Sequence, residues 1–198
     1  MSKITVDAVE PSTGTSLTLG ASGDTITVPS GATITNSGTA TGFGKVLQVV
    51  NATKTDTNST TSHSAVTTGL EASITPSATS SKVLVLISFS YNCDSDTNSI
   101  FQLYRDSTAI HLPDAAGSRE LASAGTLYQQ YGAQDIISAS INCLDSPSST
   151  SSITYKLMYF AGRNAGSNPV YFNRSHTDSD NDAVKRAISS ITLMEIAG

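Results

Sequence analysis

Asp178-Ser179-Asp180-Asn181-Asp182 sets three carboxylates at every second position, a spacing that on a loop lets oxygen ligands converge on a hard cation such as Ca²⁺. The calcium-loop pattern then breaks. It requires Gly at the sixth place and Glu at the twelfth, where the chain has Ala183 and Ser189. The run is expected to be a solvated acidic loop, and Cys93-Asp94-Ser95-Asp96-Thr97-Asn98 is read the same way. No metal site and no cofactor is expected.

His63, His111 and His176 stand in unrelated contexts, and none is spaced from a carboxylate and a hydroxyl nucleophile in a recognisable motif. Serine is too abundant for a Ser near a His to carry meaning. The GxSxG elbow, HExxH and GxxxxGK[ST] patterns are absent, and with them the nucleophile, zinc and phosphate chemistry they position. Glycan cleavage would need two carboxylates flanking a sugar groove. The sixteen acids mark no such pair, so the chain is read as a non-enzyme with no catalytic residue.

Glycan recognition asks for something different: aromatic rings as apolar platforms, with amides and carboxylates beside them for directional hydrogen bonds. Tyr128-Gln129-Gln130-Tyr131 and Tyr171-Phe172-Asn173-Arg174 have that composition. The competing use is packing of alternate residues inside a sandwich or at a subunit boundary. That use is the expected one for both, which leaves the ligand-binding residues unassigned.

The elements that must position these groups read as strands. Candidates are residues 45–52, 70–75, 82–91, 99–105, 108–112, 134–144, 151–160, 170–173 and 187–196, separated by turn-rich pieces such as TPSATSS, CDSDTNS, LDSPSSTSS and RNAGSNP. With no sustained 3.6-residue periodicity, nine short strands point to an antiparallel β-sandwich, jelly-roll-like. Val83, Val85 and Ile87 alternate with Leu84, Leu86 and Ser88, so the start of that strand is apolar on both sides and belongs in a sheet centre. Arg105-Asp106-Ser107 reads as a tight hairpin turn in which Asp106 is structural. Cys93 and Cys143 lie in strand-like segments that could face each other across a sheet, but two buried free thiols are expected, and no Cys/His spacing suggests zinc.

Composition agrees with strands and turns. The chain has 32 serines and 26 threonines, only 14% charged residues and a net charge of −5. Its eleven Lys and Arg residues do not cluster, so nucleic acid and anionic lipid are not expected partners. No apolar run approaches the roughly 20 residues that span a bilayer, and no signal peptide opens the chain. A soluble protein made in a cytoplasm is expected.

Residues 1–44 are different from the rest. Leu17/Leu19, Ile26/Val28 and Ile34 sit in or begin three-residue alternations, each followed by turn residues. Ordering a residue's backbone costs about 1–2 kcal/mol, whereas each repeat can bury only two aliphatics at roughly 1.5–3 kcal/mol apiece. A single copy cannot stabilise such a segment, so identical chains are expected to intertwine, as a homotrimer, into a fibrous β stalk. After the Gly-rich GTATGFG, all seven tyrosines and four of the five phenylalanines appear, marking a compact domain over residues 45–198.

The opening SKITVDAVEPSTGTSLTLGASGDTITVPSGATITNSGTATGFG resembles the N-terminal part of tail-fibre-like virion proteins of marine bacteriophages, notably cyanophages. ITPSATSSKVLVLISFSY, LYRDSTAI, DAAGSRE, LDSPSSTSSITYKLMY and ITLMEIAG are similar to phrases that recur in the C-terminal part of the same proteins. The resemblance implies a homotrimeric fibre or spike at the virion surface, its N-terminal segment toward the particle and its C-terminal head outward; docking on other virion proteins through the N-terminal segment and attachment of the head to host surface glycan are the expected functions. It implies no catalytic residues. A capsid decoration or connector protein without receptor binding is the structural alternative, and a glycan depolymerase the enzymatic one.

Overall fold

The computed structural model describes residues 9, 11, 13–35, 37, 46–94, 96–125, 133–162 and 165–198. The chain separates into two units, Met1–Phe43 and Gly44–Gly198. In the first, the described residues form turns but no strand. The Ala21 amide donates to Asp24 Oδ2 at 2.7 Å, and the Ala32 amide donates to the Pro29 carbonyl at 3.1 Å, closing the turns expected after LTL and ITV. Leu17, Leu19, Ile26, Val28 and Ile34 are 42–63% exposed.

The second unit is all-β, with no helix among its described residues. Its strands are β1 (Val46–Lys54), β2 (Asn58–Thr60), β3 (Val66–Ile74), β4 (Lys82–Cys93), β5 (Ser99–Arg105), β6 (Thr108–Ile110), β7 (Ala124–Gly125), β8 (Ile137–Asp145), β9 (Ile153–Ala161), β10 (Val170–Phe172) and β11 (Ser189–Ile196). All nine expected strands are present. The two short additions, β2 and β7, carry too few apolar residues to announce themselves.

All pairings between these strands are antiparallel, in two sheets. In sheet A, β8 lies on one edge of β4, while β11 and then β10 occupy the other, with β1 and β2 outside them. In sheet B, β3, β9 and β5 follow in order, and β6 and β7 share the far edge of β5. Strand β4 is central, as its two-sided apolar pattern implies. Inward-facing alternation from both sheets fills one core, including Val83, Val85, Ile87, Phe89, Leu103, Leu157, Ile191 and Leu193. At its centre the Phe89 ring lies 4.6 Å from that of Phe101, which lies 6.0 Å from Tyr159.

Besides the register shift between Val46 and Gln48 of β1, two interruptions shape this frame. Gly69 interrupts β3 with a φ of +81° where the register to β9 shifts, the left-handed geometry that a bulge of this kind assigns to glycine. The second interruption ejects a loop. Strand β10 ends at Phe172, β11 resumes the same row at Ser189, and the chain between them leaves the sheet. Asn173, fully buried with a φ of 60°, holds the gap: its Nδ2 donates to the carbonyls of Lys54 (2.9 Å) and Asp56 (3.1 Å), and its Oδ1 accepts from Ser189 Oγ at 2.5 Å.

The cysteines do not face each other. Cys143 pairs with Val85, and Cys93 lies eight residues farther along β4, a separation of roughly 27 Å at strand rise. Both are buried free thiols, far outside disulfide reach. Burial, and then Asp145, push the Cys143 thiol above its ordinary pKa.

Candidate functional site

Antiparallel pairing sends alternate connections to opposite ends of the sandwich. Val46 and Ile196 pair at one end, together with the connections 75–81, 106–107 and 146–152. Polar side chains fasten that end. Glu195, 1% exposed, accepts from the Ser77 amide and Ser77 Oγ, both at 2.7 Å, and from Gln48 Nε2 at 2.6 Å. Burial pushes its carboxyl upward, but the bonds from Gln48 and Ser77 outweigh this and hold it at about 2. Arg105 joins the sheets by two bonds to Asp145, at 2.9 and 3.1 Å, and Tyr155 Oη donates to Asp145 at 2.6 Å. Asp106 is structural, as expected: with a φ of 52° it accepts from the Thr154 amide at 2.9 Å.

The opposite end gathers 61–65, 94 and 96–98, the described part of the connection before β8, and 162 and 165–169. Backbone bonds lace them together: the Gly166 amide donates to Thr61, the Gly162 amide to Asn98 (both 2.8 Å), and the Asp94 amide to Pro169 at 3.0 Å. Gly162 permits this closeness, since a Cβ there would lie 2.6 Å from Glu120 Oε2 and 2.9 Å from Ile100 Cδ1. His63 caps the cluster. Its Nδ1 is 3.2 Å from the carbonyls of both Ala161 and Gly162, so that nitrogen carries the proton, and its Nε2 faces Glu120 at 3.6 Å.

The ejected segment 174–188 joins this end, as the Thr177 amide donates to the Ala133 carbonyl at 2.9 Å. Its neck is tied at buried Ser175, whose Oγ accepts from the Lys185 amide at 3.2 Å and donates to the Thr177 carbonyl at 2.9 Å. At its tip Arg186 makes a bidentate pair with Asp178 at 3.0–3.1 Å, and Asp178, Ser179, Asp180, Asn181, Val184 and Arg186 line an open cleft of about 410 Å³. The expected acidic loop is thus exposed, yet one carboxylate is bound by a guanidinium. Among the described residues no three His, Cys, Asp or Glu groups converge as a metal site.

Tyr171-Phe172-Asn173-Arg174 is packed. Phe172 is core, Asn173 is the buried tie, and Tyr171 is 7% exposed, with the Arg174 guanidinium 4.2 Å from its ring centroid and the His176 ring stacked at 5.1 Å. Burial and Asp94 raise the Tyr171 pKa against the opposing effect of Arg174. His176 Nε2 lies 3.9 Å from Asp94, whereas His111 is exposed and distant in sequence from both other histidines. Tyr128-Gln129-Gln130-Tyr131 lies outside the described residues. This end therefore offers exposed carboxylates, amides and a guanidinium for polar recognition. Glu120 and the ejection of 174–188 were missed in the sequence. The Asn173/Ser189 pair that frames the ejection was the available signal, polar residues where the apolar run of β10 ends and that of β11 begins.

Among the described residues no helix is long and apolar enough to cross a membrane. No protein-family model matches the chain, and no curated protein matches it.

Proposed function

We propose that this chain is a structural protein of a phage virion, a homotrimeric fibre or spike whose stalk is residues 1–44 and whose sandwich attaches the particle to host surface glycan. The observation that carries the reading is the segregation of the sandwich's two ends. The chain enters at Val46 among fastened turns, and the opposite end collects the laced connections and the polar 174–188 loop. The exposed carboxylates, amides and guanidinium of that end have the chemistry to meet a glycan surface.

Strand order supports a jelly-roll head. With β1/β2, β6/β7 and β10/β11 each counted as one row, the eight rows in chain order run 1-8-3-6 in sheet A and 2-7-4-5 in sheet B. This double Greek-key arrangement is used by capsid and lectin domains. The virion context comes from the resemblance of the chain's phrases to those of marine phage fibre proteins, and in it the N-terminal segment docks on another virion protein. Three equivalent heads convert weak contacts into durable adsorption by raising effective concentration.

Pre-incubating permissive cells with the purified full chain tests this. The chain should bind the cells and block adsorption of the phage that carries it, and removing the 174–188 loop tip should weaken the block. Undiminished adsorption, with labelled chain washing off the cells, would overturn attachment. Antibody decorating the head shell would replace it with a capsid decoration role, and release of new reducing ends from host glycan with a depolymerase.

A further inference from the structure

The outer face of sheet A is graded along its strands. One transverse row reads Val49–Met194–Leu84–Leu144, the next Asn51–Thr192–Leu86–Asn142, and the next Thr53–Ser190–Ser88–Ser140. Aliphatic side chains thus gather at the end where the chain enters, and hydroxyls take over toward the other end. Val49 is 56% and Leu144 55% exposed, Leu84 and Met194 are half-buried, and Val46 and Leu47 extend the band at half exposure.

Nothing in the sandwich requires this. Outward positions on a solvated antiparallel sheet are ordinarily polar, and a contiguous exposed aliphatic band marks an interaction surface. We infer that this band docks a second copy of the chain, and that the copies of the proposed trimer meet there; the inference rests on that reading and deepens it.

Two features select a copy over another partner. The first is charge. Among the described outward residues of this face the formally charged one is Lys82, exposed beside Ile196, so two such faces meet without burying opposed like charges, in keeping with the charge-poor cores of homomeric interfaces. The second is linkage. The chain leading to Val46 carries Leu17, Leu19, Ile26, Val28 and Ile34, all exposed and unpaired within the described chain. A different partner would have to cover two unrelated surfaces. A second copy covers both in equal number, because every copy brings its own leading segment covalently joined to its own band.

Sedimentation equilibrium of the full chain tests the assignment. The wild type should have a multiple of the 20.5 kDa chain mass, three-fold under the proposed function. The double variant Val49→Glu/Leu144→Glu should sediment as single copies with its β-sheet circular dichroism retained. A charge-matched control on exposed positions of sheet B, Ser73→Glu/Thr108→Glu, should keep the assembly.

A second measurement needs no variant. Met194 and Met158 are half-buried outward residues of sheets A and B respectively, and peroxide should oxidise Met194 severalfold more slowly than Met158 in the assembled wild type. A single-copy wild type, an assembled glutamate variant, or equal oxidation rates would overturn the docking face. A chain that assembles through this band yet fails to block adsorption sinks attachment alone, and one that blocks adsorption as a single copy sinks the docking face alone.

Discussion

The outer face of sheet A presents the row Val49–Met194–Leu84–Leu144, while the outer face of sheet B presents Glu71–Lys156–Tyr104–Ala109. Both rows are made by antiparallel strands with the same alternation, and their inward neighbours enter the same core. Inward positions answer to packing, so the two sheets look alike there. Outward positions are released from that demand, and their chemistry reports what lies beyond the sheet. Sheet B meets water with opposed charges, a hydroxyphenyl and a methyl group. Sheet A meets it with aliphatics at one end and serines at the other, which is why the two faces are assigned different surroundings.

The comparison assumes one cooperative body between the faces, and the largest expected effect tests that. Phe101 belongs to sheet B, is fully buried and packs 4.6 Å from Phe89 of sheet A. Phe101→Ala should cost about 3–5 kcal/mol, with circular dichroism and tyrosine fluorescence reporting the same urea midpoint. Separate transitions would break the comparison, since the sheets would then be independent units.

Next in size is Glu195, on the inner side of sheet A's apolar end. Glu195→Gln removes a charge that gathers three hydrogen bonds and should cost about 1.5–3 kcal/mol at neutral pH. The folded carboxyl titrates at about 2, below its ordinary value of 4.5. Its stabilising effect is therefore complete above 4.5 and is lost as pH falls from there toward 2. Wild type minus variant stability, followed across that window by denaturant unfolding, should fall toward zero. A difference that stays flat would show that the Ser77 contacts do not depend on charge.

Tyr159 predicts a gain instead. Its hydroxyl is buried without a hydrogen-bond partner among the described residues, and burial raises its pKa. An unsatisfied hydroxyl carries its desolvation cost into the fold. Tyr159→Phe should raise stability by about 1 kcal/mol, and a loss of that size would reveal a partner for the oxygen.

How much of this was legible depends on the side of the strand that carries the information. The nine main strands could be read because their inward positions repeat every second residue, as in Val83-Val85-Ile87 or Ile191-Leu193. The apolar row of sheet A could not, because Val49, Leu84, Leu144 and Met194 become neighbours only through three strand pairings whose register no local pattern specifies. In sequence, Leu84 and Leu86 marked a central strand and nothing more. Packing was the expected use of Tyr171 and is what the structure has, but composition does not reveal that Arg174 and His176 are the groups that cover its ring. Nor does composition reveal that the packed Asn173 holds the backbone gap between β10 and β11 through its amide.

The smallest effects separate the faces most cleanly. Glu71 and Lys156 lie directly opposite each other on sheet B, and Glu71→Lys places like charges there, so it should cost about 0.2–1 kcal/mol of stability. Because that face meets water, the sedimenting mass should not change. Val49→Thr on sheet A keeps the β-branched shape, which suits a strand, while adding a hydroxyl at a half-exposed site. Measured on dissociated chains it should shift stability by no more than about 0.5 kcal/mol, yet it should raise the concentration needed for assembly, because the hydroxyl would be desolvated against a second copy. One substitution thus moves stability and leaves mass alone, and the other does the reverse. If Glu71→Lys dissociated the chain while Val49→Thr left assembly untouched, the roles of the two faces would have to be exchanged.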